Sequence, residues 1–114
     1  MAYDLELADR LRELLAGEPD VVEKRMFGGL AFLVGGHLAV AAGSSGGMLL
    51  RVDPADGDAL LEHPHAAPSV MRGRELTGWL HVQVDPSTSD EELAGWVEHG
   101  VRYALSLPPT APRG

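Results

Sequence analysis

The residues of this chain that could do chemistry are five histidines, four arginines beside apolar runs, a serine pair in a glycine-rich turn and a short run of aspartates. A metal site needs three or four converging nitrogen, oxygen or sulfur donors. His63 and His65 are close, but Pro64 separates them and no acidic ligand stands at a recognisable spacing. His37 falls at a hairpin, His81 on a strand and His99 on a helix, so the expectation is loop and surface histidines, with no metal and no cofactor. Asp53-Pro54-Ala55-Asp56-Gly57-Asp58 has the acidity of a calcium loop but lacks its alternate-position spacing and distal bidentate glutamate. Ser44-Ser45 sits in neither a nucleophile elbow nor a lysine-bearing phosphate loop, and reads as a turn.

Arg25, Arg51, Arg72 and Arg74 lie in or beside strand-like segments, and Gly28-Gly29 can expose backbone N–H groups. Together they could hold a carboxylate or phosphate. The competing use of these arginines is salt bridging, because the chain carries 17 acids against 9 Lys and Arg and a formal charge of −8. That charge disfavours direct nucleic-acid binding, which needs clustered cations. The absence of cysteine excludes disulfides, thiolate nucleophiles and Cys-ligated zinc. The acidic start Met1-Ala2-Tyr3-Asp4-Leu5-Glu6 is unlike a signal peptide, and the longest mostly apolar stretch, 30–43, is interrupted by Gly35-Gly36-His37. The expected location is the cytoplasm, with no membrane partner.

The elements that must position these groups follow from periodicity. Residues 4–16 read as an amphipathic helix capped by Asp4, with Leu7, Leu11, Leu14 and Leu15 on one face and Gly17 and Pro19 ending it. Residues 21–26 form a lead-in strand or extended arm. Leu30–Val34 and His37–Ala42 are joined by Gly35-Gly36, a two-residue hairpin turn that needs positive φ at both centres. A five-residue loop leads to a strand over 48–52. The turns set a register in which Phe32 faces Ala39, Leu33 faces Leu38 and Val40 faces Leu50. One face then holds Leu33, Leu38, Val40, Met48, Leu50 and Val52, the expected core. The other holds Phe32, Ala39, Leu49 and Arg51. Asp53 caps a second helix with Pro54 at its first position. Residues 63–68 read as a loop, 70–72 as a short strand, and 79–84 as a strand with Leu80, Val82 and Val84 inward and Trp79 and His81 outward. Ser89 and Glu92 form a capping box for a final helix with Leu93, Trp96, Val97, Val101, Ala104 and Leu105 on its stripe, ended by Pro108-Pro109.

The fold class is α+β: a two-layer sandwich with a mainly antiparallel sheet, helices on one face and the order α-β-β-β-α-β-β-α. One domain spans 1–107, followed by a tail, 108–114. Phe32, Leu49, Arg51, Trp79 and His81 fall on the face away from the helices. Aromatic and arginine side chains of this kind are enriched at interface centres.

Several segments carry a family likeness. Arg25-Met26-Phe27-Gly28-Gly29, then Phe32, Gly36, Leu38-Ala39, Leu50-Arg51-Val52-Asp53 and Gly73-Arg74-Glu75-Leu76-Thr77-Gly78-Trp79, with Trp96 and Tyr103-Ala104 in the last helix, resemble the N-terminal domain of the TfoX/Sxy family. The likeness runs from about residue 5 to 106. It implies a secretion-chaperone-like fold and regulators of DNA-uptake competence that act with a transcription factor at promoters. The full-length regulators also have a C-terminal helical domain, so the expectation is a stand-alone N-terminal domain. No catalytic residue carries over. The resulting expectation is a non-enzymatic regulatory domain whose partner is a protein, such as a transcription factor, or a second copy in a homodimer. The alternative is an anion-binding or enzymatic domain using Arg25, Arg51, Arg72 and Arg74.

Overall fold

The computed structural model describes residues 5–26, 29–43, 47–71 and 73–107. Among these, three helices and six strands follow in the order α1 (Leu5–Leu14), β1 (Val21–Met26), β2 (Gly29–Val34), β3 (His37–Ala42), β4 (Met48–Arg51), α2 (Pro54–Leu60), β5 (Ala66–Met71), β6 (Arg74–Val82) and α3 (Asp90–Ser106). All six strands join one antiparallel sheet in the order β1-β2-β3-β4-β6-β5. The α+β class is therefore as the sequence implied. Three elements differ. β6 starts at Arg74, five residues before the expected Trp79, and ends at Val82. Residues 21–26 are a full edge strand paired along their length with β2. Residues 66–68, expected in a loop, belong to β5, where Pro68 is tolerated because β5 is the opposite edge of the sheet. The proposed tail and the centre of the Met26-Phe27-Gly28-Gly29 turn, with Ser44-Ser45 and Arg72, lie outside the described residues.

Local chemistry accounts for the element ends. Gly35 and Gly36 have φ of 61° and 87°, the left-handed pair that the tight β2–β3 hairpin requires. Asp53 Oδ1 accepts the Ala55 N–H at 2.9 Å and Pro54 opens α2, so the aspartate run is a helix start rather than a cation loop. Ser89 Oγ accepts the Glu92 N–H at 3.0 Å at the start of α3.

The main core lies between the sheet and the helices. It gathers Leu7, Leu11 and Leu15 with Val40, Met48, Leu50, Val52, Leu80 and Val82, and with Leu93, Trp96, Val97, Val101 and Ala104 of α3. Leu105, expected on the same stripe, is 56% exposed. The β3–β4 register is as expected, with Val40 opposite Leu50. The β2–β3 register is not. Leu33 pairs with Leu38, but Phe32 pairs with Val40 rather than Ala39, because a bulge places Ala39 as an extra residue on β3. The shift reverses the faces on β2 and at the start of β3. Phe32, expected on the outer face, is fully buried among the helices, and Ala39 joins it there. Leu33 and Leu38, expected in the core, lie on the outer face. The driving force is burial: the phenylalanine ring, which has no polar atom, lies where the helices cover it.

The bulge also seats α3. A Cβ at Gly100 would stand 2.6 Å from the Ala39 carbonyl oxygen and 2.9 Å from Leu50 Cδ1. Only a glycine lets the helix backbone come this close to the sheet. No helix among the described residues is long and apolar enough to cross a membrane.

Candidate functional site

The outer face of the sheet carries a second, smaller apolar cluster. Ala31, Leu38 and Ala41 are buried there, with Leu33, Leu49 and Trp79 packed around them. Every one of these residues belongs to a strand. The register explains the arrangement: Lys24, Ala31, Ala41, Leu49, His81 and Ala67 form one row across all six strands. The alanines make the middle of the row low, and larger side chains flank it. Beside this row, Arg51 pairs with Trp79 across β4 and β6. The Arg51 guanidinium lies 5.2 Å from the Trp79 ring centroid and 5.4 Å from that of Tyr103 on α3. Arg51 is the last residue of β4, so its side chain reaches an aromatic residue of the helix layer as well as one of the sheet. Such stacking fixes the cation in place.

Four of the five residues expected on a partner surface, Leu49, Arg51, Trp79 and His81, are thus gathered on or beside one face. Phe32 is the exception and belongs to the core, for the reason given by the bulge. Of the four arginines considered for anion binding, Arg72 lies outside the described residues and the other three are not gathered. Arg25 pairs with the core residue Leu30 on edge strand β1 and so shares its face, while Arg51 lies on β4 and Arg74 begins β6. Arg25 and Arg74 are four strand spacings apart across the sheet, about 19 Å, and are displaced along it as well, since the row of Arg25 meets β6 at Val82. Arg51 and Arg74 are on adjacent strands but about 16 Å apart along them, since Arg51 pairs with Trp79, five residues beyond Arg74.

A second constellation joins residues remote in sequence. His63 and His65, from the segment between α2 and β5, meet Glu92 from the first turn of α3. His65 Nδ1 lies 2.8 Å from Glu92 Oε2, and the Trp96 indole N–H points to the same oxygen at 3.5 Å. The His63 ring stands edge-on to Trp96 with centroids 4.9 Å apart. The backbone of the loop is held as well. His63 N–H donates to the Leu60 carbonyl, Ala66 N–H to the His63 carbonyl, and Gln83 N–H to the His65 carbonyl at 2.8 Å. His65 N–H donates to His63 Nδ1 at 3.1 Å. Hydrogen bonding to His65 lowers the Glu92 pKa below the ordinary glutamate range, with the Trp96 N–H adding to the effect and partial burial opposing it. The Ser89 half of the expected capping box is present, with Ser89 Oγ accepting the Glu92 N–H. The Glu92 carboxylate is bonded to His65, a partner 27 residues away that no local spacing marks. The one signal available was a glutamate and a tryptophan four residues apart on the final helix.

The comparisons with known proteins bear on the whole of this architecture. The model of the TfoX N-terminal domain family matches residues 13–104, most of the chain. The chain belongs to the TfoX N-terminal domain family. Its fold is similar to the crystal structure of Deinococcus radiodurans protein DR2400, which carries the DUF419 domain, with a TM-score of 0.64 over 94% of this chain and 93% of that one. At 23% identity that likeness speaks to the fold alone. No match was found among curated proteins. The matched span of the TfoX N-terminal domain includes the bulged strand, the outer apolar face and the His63–His65–Glu92 group.

Proposed function

We propose that this TfoX N-terminal domain is a non-catalytic regulatory module that binds a protein partner on its outer sheet face. The observation that carries the reading is the Ala31, Leu38 and Ala41 cluster with Leu33, Leu49 and Trp79, an apolar patch built, among the described residues, from strands. The three central residues are buried and Leu33, Leu49 and Trp79 are half-buried around them, so the half-exposed larger side chains are the surface a partner would meet. Among the described residues, Lys24 stands at one end of the row and Arg51 beside Trp79, while the chain as a whole is acidic. The complementary partner has an apolar centre and an acidic border. A second copy of this chain brings the same Lys24 and Arg51 to that face. The family's link to competence regulation supports a component of transcriptional control as that partner. The separation of Arg25, Arg51 and Arg74 speaks against one anion site that uses all three.

Affinity capture with the wild-type domain and with Leu49→Glu and Trp79→Ala tests the proposal, using Leu105→Glu on exposed α3 as the control. The expected result is a partner retained by wild type and control and lost by both face variants, each shown by circular dichroism to be folded. Retention of that partner by both face variants refutes the assignment. A homodimer in light scattering that Leu49→Glu dissociates replaces the protein partner with a second copy.

A further inference from the structure

We propose that His63, His65 and Glu92 form a binding site for a first-row divalent metal ion of the zinc type. The claim is independent of the partner face, because none of the three residues belongs to the outer apolar cluster. Two imidazoles and a carboxylate are the donors that such ions prefer, whereas magnesium and calcium take mainly oxygen. The three donor atoms lie within 4.8 Å of one another. Donors about 2.1 Å from a tetrahedral ion stand about 3.4 Å apart, so side-chain movements of about 1 Å complete the set. The closest pair is nearly in place: His65 Nδ1 and Glu92 Oε2 are 2.8 Å apart across a shared proton. A metal ion takes the position of that proton between the two atoms, and the carboxylate supplies negative charge against the cation.

The donors are also prepared by their surroundings, which separates them from a chance pair of surface histidines. Backbone bonds to Leu60, Ala66 and Gln83 fix the loop that carries both rings. The Ser89 cap fixes the turn that carries Glu92, and the Trp96 N–H orients its carboxylate. Outer contacts of this kind position ligands in metal sites. One adjustment is required. His63 Nδ1 accepts the His65 N–H, so an ion at Nδ1 replaces that bond, and an ion at Nε2 sends the ring proton to Nδ1 and ends it. Either way the loop opens slightly as the ion enters, toward the solvent that His65 already faces. Three protein ligands leave a position for water or for a donor from another molecule. The ion would tie the α2–β5 segment to α3.

The test is isothermal titration and thermal melting of the intact chain with zinc chloride, for wild type, His63→Ala, His65→Ala, Glu92→Gln and the off-site control His99→Ala. The expected result is one ion per chain with a dissociation constant of about 10 μM or below. A rise in melting temperature that a chelator reverses should accompany it. Each ligand variant weakens binding at least about 10-fold, since even outer contacts of metal sites are worth that much. His99→Ala binds like wild type. Circular dichroism confirms that the variants fold. Three outcomes overturn the proposal: no binding at micromolar zinc, binding that survives all three ligand substitutions, or an equal thermal shift with magnesium chloride.

Discussion

Two glycines on α3 give opposite answers to the same substitution, and the difference is set by the bulge on β3. Gly95 is exposed, and a Cβ there meets nothing within 4 Å. Gly95→Ala should therefore stabilise the domain by about 0.5–1 kcal/mol through helix propensity and a less flexible unfolded chain. Gly100→Ala gains the same propensity term but places its methyl 2.6 Å from the Ala39 carbonyl oxygen, 2.9 Å from Leu50 Cδ1 and 3.1 Å from the Ala39 carbonyl carbon. Two of those three atoms are backbone and cannot rotate away. The helix must lift or the bulge must deform, at the cost of about 1–3 kcal/mol that overpacking usually carries. The net effect lies between about zero and a loss of about 2.5 kcal/mol, and because the propensity term is shared the two variants differ by the overpacking cost itself, about 1–3 kcal/mol. At about 4 °C per kcal/mol for a domain of this size, the separation is readily measured. Urea unfolding followed by far-UV circular dichroism, with Trp fluorescence as a second probe, gives both midpoints. If Gly100→Ala is as stable as Gly95→Ala, the close seating of α3 on the bulge is wrong.

Two further substitutions probe other parts of the structure. Phe32→Ala should cost about 3–5 kcal/mol, because the ring is fully buried beneath the helices. A loss under about 1 kcal/mol in the same urea experiment would return Phe32 to the outer face. Glu23 accepts two bonds from Arg12, at 2.6 Å from Nε and 2.8 Å from Nη2, and this pairing is the chief reason its pKa lies below the ordinary glutamate range. A depressed carboxylate contributes stability above its unfolded pKa and loses it as pH falls through the folded value. Glu23→Gln should therefore lower the melting temperature at neutral pH and flatten its decline on acidification. The pair is largely solvent-exposed, so the change is small. An unaltered acid profile counts against the pairing.

Much of the fold was legible in the chain because its signals are local. Gly35-Gly36 specified a hairpin, Asp53-Pro54 and Ser89 specified helix starts, and strict alternation from Trp79 to Val84 put Leu80, Val82 and Val84 inward. Each depends on residues within a few positions of one another, where φ preference and period act directly. The family likeness rested on equally short segments and holds over residues 13–104.

Two features required the assembled molecule. The bulge at Ala39 leaves no mark in the local pattern, since Leu33, Leu38, Phe32 and Val40 are all apolar and either register keeps an apolar face. The helices decide between them: Gly100 of α3 admits the Ala39 carbonyl, and Phe32 takes the covered side. The His63–His65–Glu92 group spans 27 residues between its bonded members, so its spacing resembles no motif. It exists because the sheet brings the α2–β5 segment to the first turn of α3. Local chemistry determined which elements form. Only long-range packing determined which face each strand shows, and with it which residues are left outside for other molecules.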